Sequence, residues 1–226
     1  MKKSEMDFQK LYDFLRELNT SDNNDKSWMD DHRDGYEEVR DSYISFLDDL
    51  NSYFKQTDPN YQDTTGRRAI NRINNNKMFH PEKPTYKDHF GASLDKAENK
   101  AEFYIHLGIN TSFVACGFYH VPNDKLKLIR QEIDYNGSEL EKILNHQDFK
   151  KTFGGLWTGD SLKTSPKGYS SDHPRIEWIR LKSFVVQKDF TEHEVVNGGF
   201  KEQLIQLYEL MLPFRRFLDM AVDEPA

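Results

Sequence analysis

AEFYIHLGINTSFVACGFYH, residues 101–120, alternates through its first seven positions and then turns back on itself. Ala101, Phe103, Ile105 and Leu107 share one face while Glu102, Tyr104 and His106 share the other, which is the two-residue period of a half-buried strand. Residues 108–111 supply a hairpin loop. Residues 112–120 are apolar on both faces, as a central strand is, with Phe113 and Ala115 on one and Val114, Cys116 and Phe118 on the other. A four-residue loop sets His106 opposite Phe113 and Tyr104 opposite Ala115. The second face of the sheet then displays Glu102, Tyr104, His106 and Tyr119 around small Ala115 and Gly117, which leaves room for a ligand or a covering helix.

Helical spacing flanks this hairpin. Phe8, Leu11, Tyr12, Leu15 and Leu18 form an apolar stripe that ends near Asn19, and Trp28, His32, Tyr36, Val39, Tyr43, Phe46, Leu47, Leu50 and Phe54 extend a second helix over about 26–54. Trp28 is expected in the core, and Arg33 within reach of later basic loops or their acidic partners. After Pro122, one helix carries Leu126, Ile129 and Ile133, and Ser138 with Glu141 forms a capping box for another. Residues 148–153 and 183–188 read as strands, Asp172 as the cap of a short helix, and residues 200–222 as a last helix kinked at Pro213. The fold expected is α+β: an antiparallel sheet with N-terminal helices and a C-terminal helix packed on it. One domain spans 1–226, helical over about 1–60 and mixed over about 61–226.

At 226 residues the chain can bury a substantial core, and 13% aromatic residues offset a mean hydropathy of −0.85. Cys116 is the sole cysteine, so no internal disulfide forms and a reducing, cytoplasmic setting is expected. No stretch reads as a membrane span. A net charge of −7 argues against general nucleic-acid binding, which needs a broad cationic face. The absence of a phosphate-binding glycine loop, a dinucleotide fingerprint, HExxH and a nucleophile elbow leaves no motif for a cofactor or a known chemistry. Glu102, His106 and His120 could approach a metal, but scattered histidines are no metal signature, and none is expected.

Two segments depart from this acidic background. RINNNKMFHPEKPTYKDHFGA, residues 72–92, has neither helical nor strand periodicity, and Arg67, Arg68, Arg72, Lys77, Lys83 and Lys87 face only Glu82 and Asp88 there. DSLKTSPKGYSSDHP, residues 160–174, repeats the mixture of lysines, proline, tyrosine and histidine. Arginine offers a planar fork to carboxylate or phosphate and lysine a mobile charge, so Arg72, Lys83, Lys87, Lys163 and Lys167 are candidates to hold an anion. Tyr86 and Tyr169 would add hydroxyl donors. His173 beside Asp172 is a candidate general base or a fixed structural hydrogen-bonding group.

These residues also carry a resemblance. Phe14, Leu15, Leu18, Asn23, Asn24, Trp28, Met29, Arg33 and Tyr36, then Arg72, KPTYK at 83–87 and LKTSPKGYSSDHP at 162–174 resemble the bacterial and fungal domain-of-unknown-function family 2461 over nearly the whole chain. Met29 stands where the family pattern has Phe, and INRINNNKMFHPEKP at 70–84 carries Asn where Asp is usual and is longer before Lys83. The resemblance implies membership and no activity. Two readings follow: a site for a small phosphate- or carboxylate-bearing ligand built from two basic loops, or a non-catalytic interaction domain whose basic loops are structural ion pairs and whose acidic N-terminal helices meet a protein partner. No motif decides whether the first would be an enzyme.

Overall fold

Regular structure starts where a polar side chain can take over the free amides of a helix end. The computed structural model describes residues 6–223. Asp7 accepts a hydrogen bond from Lys10 N (3.0 Å) and opens α1, Phe8–Leu18, whose Leu11, Tyr12, Phe14, Leu15 and Leu18 are buried. Asp25 does the same for α2, Lys26–Asp31, by accepting from Trp28 N at 2.8 Å. The long helix expected over 26–54 is therefore two. His32 leaves helical geometry (φ −109°, ψ 21°), and α3, Arg33–Thr57, starts afresh with Val39, Tyr43, Phe46, Leu47, Leu50 and Phe54 inside. The break changes the helical phase, so Met29 fills the core position and Trp28 is half-exposed, stacked on His32 at 4.0 Å.

The one-turn α4, Gly66–Ala69, leads into β1, His89–Leu94, followed by β2, Glu102–Gly108, and β3, Ser112–Phe118. β2 runs through Gly108, so the loop is 109–111, one residue shorter than expected, while the His106 and Phe113 rings stack 4.6 Å apart as the expected facing has them. Then come α5, Asn123–Asn145, α6, Gln147–Phe153, α7, Ile176–Ile179, β4, Phe184–Phe190, α8, Glu192–Val196, and α9, Phe200–Val222, which contains Pro213. The four strands form one antiparallel sheet in the order β1-β2-β3-β4, so the α+β class expected from the hairpin and helical spacing is the observed one.

Three local expectations are corrected. Residues 148–153 are helical, because Phe149 and Phe153 sit four apart and meet with ring centroids at 4.7 Å on one helical face. The two helices after Pro122 are one element bent at Asn136 (φ −116°, ψ 17°), with Ser138 inside it and not at a cap. Asp172 caps nothing: α7 begins at Ile176, and its first turn has no side-chain cap.

The described residues group into two compact units. The first runs to Asp95 and adds Tyr104–Val114 and Asp189–Ile205; the second comprises Lys96–Phe103, Ala115–Lys188 and the chain from Gln206. In the first, Phe8 meets Phe46 and Phe200 edge-on at 5.1 and 5.3 Å, and Tyr12 shares a buried 2.7 Å hydrogen bond with Ser112. In the second, Phe103 packs edge-on against Tyr208, and Asp219 accepts from Ala101 N at 2.8 Å. Cys116 is buried there, and burial first, then the charge of Asp219, pushes its thiol far above the ordinary range.

Candidate functional site

The basic segment of the first unit is a ribbon, not a free loop. Residues 70–75 run antiparallel to 85–92, with bridges Ile70 to Ala92 and Asn74 to Tyr86 and hydrogen bonds from Lys87 N to Ile73 O (2.8 Å) and Asn71 N to Gly91 O (2.8 Å). Its tip exposes Met78 and Phe79. Asn24 anchors the ribbon: its side-chain oxygen accepts from Tyr86 N at 2.8 Å and its amide donates to Tyr86 O at 3.2 Å. Asn24 was legible only as part of a family-like pattern, because the contact spans 62 residues.

Alternation along the ribbon sends Tyr86 and Lys87 to opposite sides. Tyr86 is buried, 5% exposed, and with Lys26, Met29, Arg33, Tyr36, Ile73 and Asn74 lines a cleft of about 350 Å³. Burial raises the pKa of its phenol while the nearby Arg33 charge opposes the rise, so Arg33 reaches the basic segment as expected. Arg33 spends one guanidinium nitrogen on Asp30 at 2.6 Å. On the other side, the Lys87 ammonium donates to the Arg72 carbonyl at 2.6 Å, and its pKa is lowered by burial and by the charge of Lys83. Arg72 and Lys83 are exposed, and the Lys83 carbonyl accepts from the Lys77 ammonium.

Next to Lys87 lies a chain of titratable groups of which the sequence pointed to Tyr104 and His106, on the second face of the sheet, but not to Asp88 and His89 as their neighbours. The Asp88 carboxylate takes His89 Nδ1 on one oxygen (2.9 Å) and the Asn110 amide on the other (2.8 Å). His89 stacks on His106 at 4.0 Å, and the Tyr104 hydroxyl meets His106 Nδ1 at 3.3 Å. The available signal was the Asp-His pair directly after KPTYK together with Gly91 and Gly108 in strands, where glycine usually marks a close approach.

In the second unit, Lys163 and Lys167 are exposed and Tyr169 is half-buried, its ring edge-on to His173 at 6.1 Å. Burial, aided by the charge of Asp134, raises the Tyr169 pKa. Both nitrogens of His173 are engaged: Nδ1 accepts from Arg175 N at 3.1 Å, which leaves Nε2–H to donate to Asp134 at 3.0 Å. The structure thus groups Arg72, Lys83, Tyr86 and Lys87 in one unit and Lys163, Lys167, Tyr169 and His173 in the other. Among the described residues, none of Arg72, Lys83, Lys87, Lys163 and Lys167 forms an ion pair with a carboxylate. No helix among them is long and apolar enough to cross a membrane.

No curated protein and no solved structure matches this chain. The model of one family, described as conserved hypothetical protein (DUF2461), matches residues 10–217 and so takes in the N-terminal helices, the ribbon, the sheet and the second basic segment; the chain belongs to that family.

Proposed function

We propose that the first unit binds a small organic anion, carboxylate or phosphate, in the cleft beneath Tyr86. The observation that supports this is a set of donors without acceptors. The Lys26 ammonium and the Tyr86 hydroxyl have no hydrogen-bonding or ionic partner among the described residues, and Arg33 keeps most of its fork free, around a floor of Met29 and Ile73. Lys26 and Arg33 are exposed cations at the rim of the cleft, where an anion would accept from both and from the Tyr86 hydroxyl. The apolar floor suits a ligand with a hydrophobic or ring body, and Tyr36 supplies an aromatic wall. The cations of the ribbon add to the same field from outside the cleft. Their lack of carboxylate partners is what separates this reading from basic segments that merely lock onto acidic helices.

Thermal melting and calorimetric titration with benzoate, phenyl phosphate and inorganic phosphate test it. Saturation near a hundred times Kd should stabilise the wild type by about 2.7 kcal/mol. Lys26→Ala with Arg33→Ala should abolish the effect, and Tyr86→Phe should weaken it several-fold. Stabilisation that is absent with all three anions, or that survives in the double variant, would overturn the proposal.

A further inference from the structure

The imidazoles of His89 and His106 stand side by side on one face of the sheet, in the first unit, with their tautomers set by neighbours. Asp88 is ionised: burial opposes this, but bonds from His89 and Asn110 outweigh it and hold its pKa below the usual carboxylate range. A carboxylate can only accept, so His89 Nδ1 must carry the proton and the lone pair must lie on Nε2. That nitrogen has no partner among the described residues and is not shut off from solvent, the ring being 22% exposed. His106 is complementary. Donation from the Tyr104 phenol to Nδ1 would leave the His106 N–H at Nε2.

Two glycines keep room for this pair. A Cβ on Gly108 would lie 2.9 Å from His89 Cβ and 3.2 Å from His106 Nε2, and one on Gly91 would lie 2.7 Å from the Tyr104 hydroxyl. Glycine weakens a strand interior, so two of them beneath one set of polar rings mark where those rings pack directly against the backbone. Lys87 is close enough for its charge to bear on both imidazoles, and Lys83 adds to it at His89.

We propose that Asp88, His89 and His106 form a proton-transfer site, with His89 Nε2 as the base and His106 Nε2–H as the donor, for a small organic anion whose charge is met by Lys87. In the step, an acidic O–H or C–H bond of the ligand breaks and its electron pair stays on the ligand. The proton forms an N–H at His89 Nε2, Asp88 stabilises the imidazolium, and the His106 N–H steadies the negative charge left behind. The proton then returns to the ligand or passes to water. Asp88 and Tyr104 are positioning residues. This site does not depend on the cleft beneath Tyr86 and uses neither Lys26 nor Arg33.

The test reads tautomer and reactivity on the full chain. Long-range proton–nitrogen correlation spectra should show His89 protonated at Nδ1 and His106 at Nε2, with the bias at His89 lost in Asp88→Ala and kept in part in Asp88→Asn. Diethyl pyrocarbonate should acylate His89 faster than an ordinary exposed histidine at about pH 5.5, where ordinary imidazoles are largely protonated. Millimolar inorganic phosphate should slow that acylation in the wild type and not in Lys87→Met. Protonation of His89 at Nε2, failure of His89 to acylate, or acylation indifferent to phosphate would each overturn the proposal. Because these readouts stand on the wild type, they hold even if a variant fails to fold, and they leave the result for the Tyr86 cleft unaffected.

Discussion

Lys87 shows how one side chain can be legible as a cation and illegible as an interaction. Its place in KPTYK marks it for an anion, yet its ammonium is half-buried against the Arg72 carbonyl with Lys83 for company. Burial and like charge both favour the neutral amine, so its pKa in the folded chain lies below that of the unfolded chain. The sign follows from proton counting. As pH rises towards the ordinary lysine range, the folded form sheds its proton first, the unfolded form holds more, and stability rises through that window. Lys87→Met keeps the stem and removes the charge. It should raise stability at neutral pH by up to about 1 kcal/mol, the scale of a partly solvated charge interaction, and flatten the rise as pH approaches the ordinary lysine value of about 10.4. Urea denaturation of both proteins across that range checks it; a variant less stable at neutral pH with an unchanged slope would show the hydrogen bond to Arg72 to be worth more than the charge costs.

At the scale of elements, close backbone approach decides which positions admit no side chain. Gly117 in β3 has φ +135°, and a Cβ there would stand 1.9 Å from the Phe184 carbonyl oxygen of the neighbouring β4, an atom that cannot swing away. Gly117→Ala should therefore cost about 2–4 kcal/mol by combining left-handed strain with a backbone clash. Gly35→Ala, with nothing within 4 Å on a helix, should instead gain up to about 1 kcal/mol. Comparative denaturation of the two variants measures the contrast. The same distinction explains what could be read in advance. The hairpin and the terminal helices carry their period in large apolar residues, so they are legible locally. β1 was not, because HFGASL fills one face with Gly91 and Ser93, whose fitness depends on Tyr104 arriving from β2. The ribbon was missed likewise: its register is fixed by bridges and by Asn24, not by alternation. Tyr86 was legible as a candidate by type, Arg33 only as reaching the basic loops and His106 only as facing the open side of the sheet, whereas the juxtaposition of Lys26 with the first two and of Asp88 and His89 with His106 emerges only once distant segments meet.

For the whole molecule, acid should act in two stages that belong to different groups. Burial, with the charge of the neighbouring His89, lowers the pKa of His106 to about 4, and burial together with Lys87 and Lys83 lowers that of His89 despite Asp88. Between the ordinary imidazole value and about 4, the unfolded chain takes up protons that the folded chain refuses, so stability falls as pH falls through that window. Discounted for the solvent that reaches both rings, the two histidines account for on the order of 2 kcal/mol of this loss. Asp63, Asp88 and Asp160 act later. Their carboxylates are held below the usual range, by Lys55 and Asn51, by His89 and Asn110 against burial, and by Lys182 and His120, so their stabilisation disappears only in stronger acid. Asp219 works in the opposite sense, since burial lifts its pKa and the folded form takes up that proton first. Replacing both His89 and His106 with Gln should therefore flatten the stability profile from about pH 6.5 to 4 and leave the steeper fall below it. Denaturation midpoints taken across pH 3–7 decide the matter: a profile unchanged above pH 4 in the double variant would mean that solvent reaches both rings well enough for them to titrate as ordinary histidines.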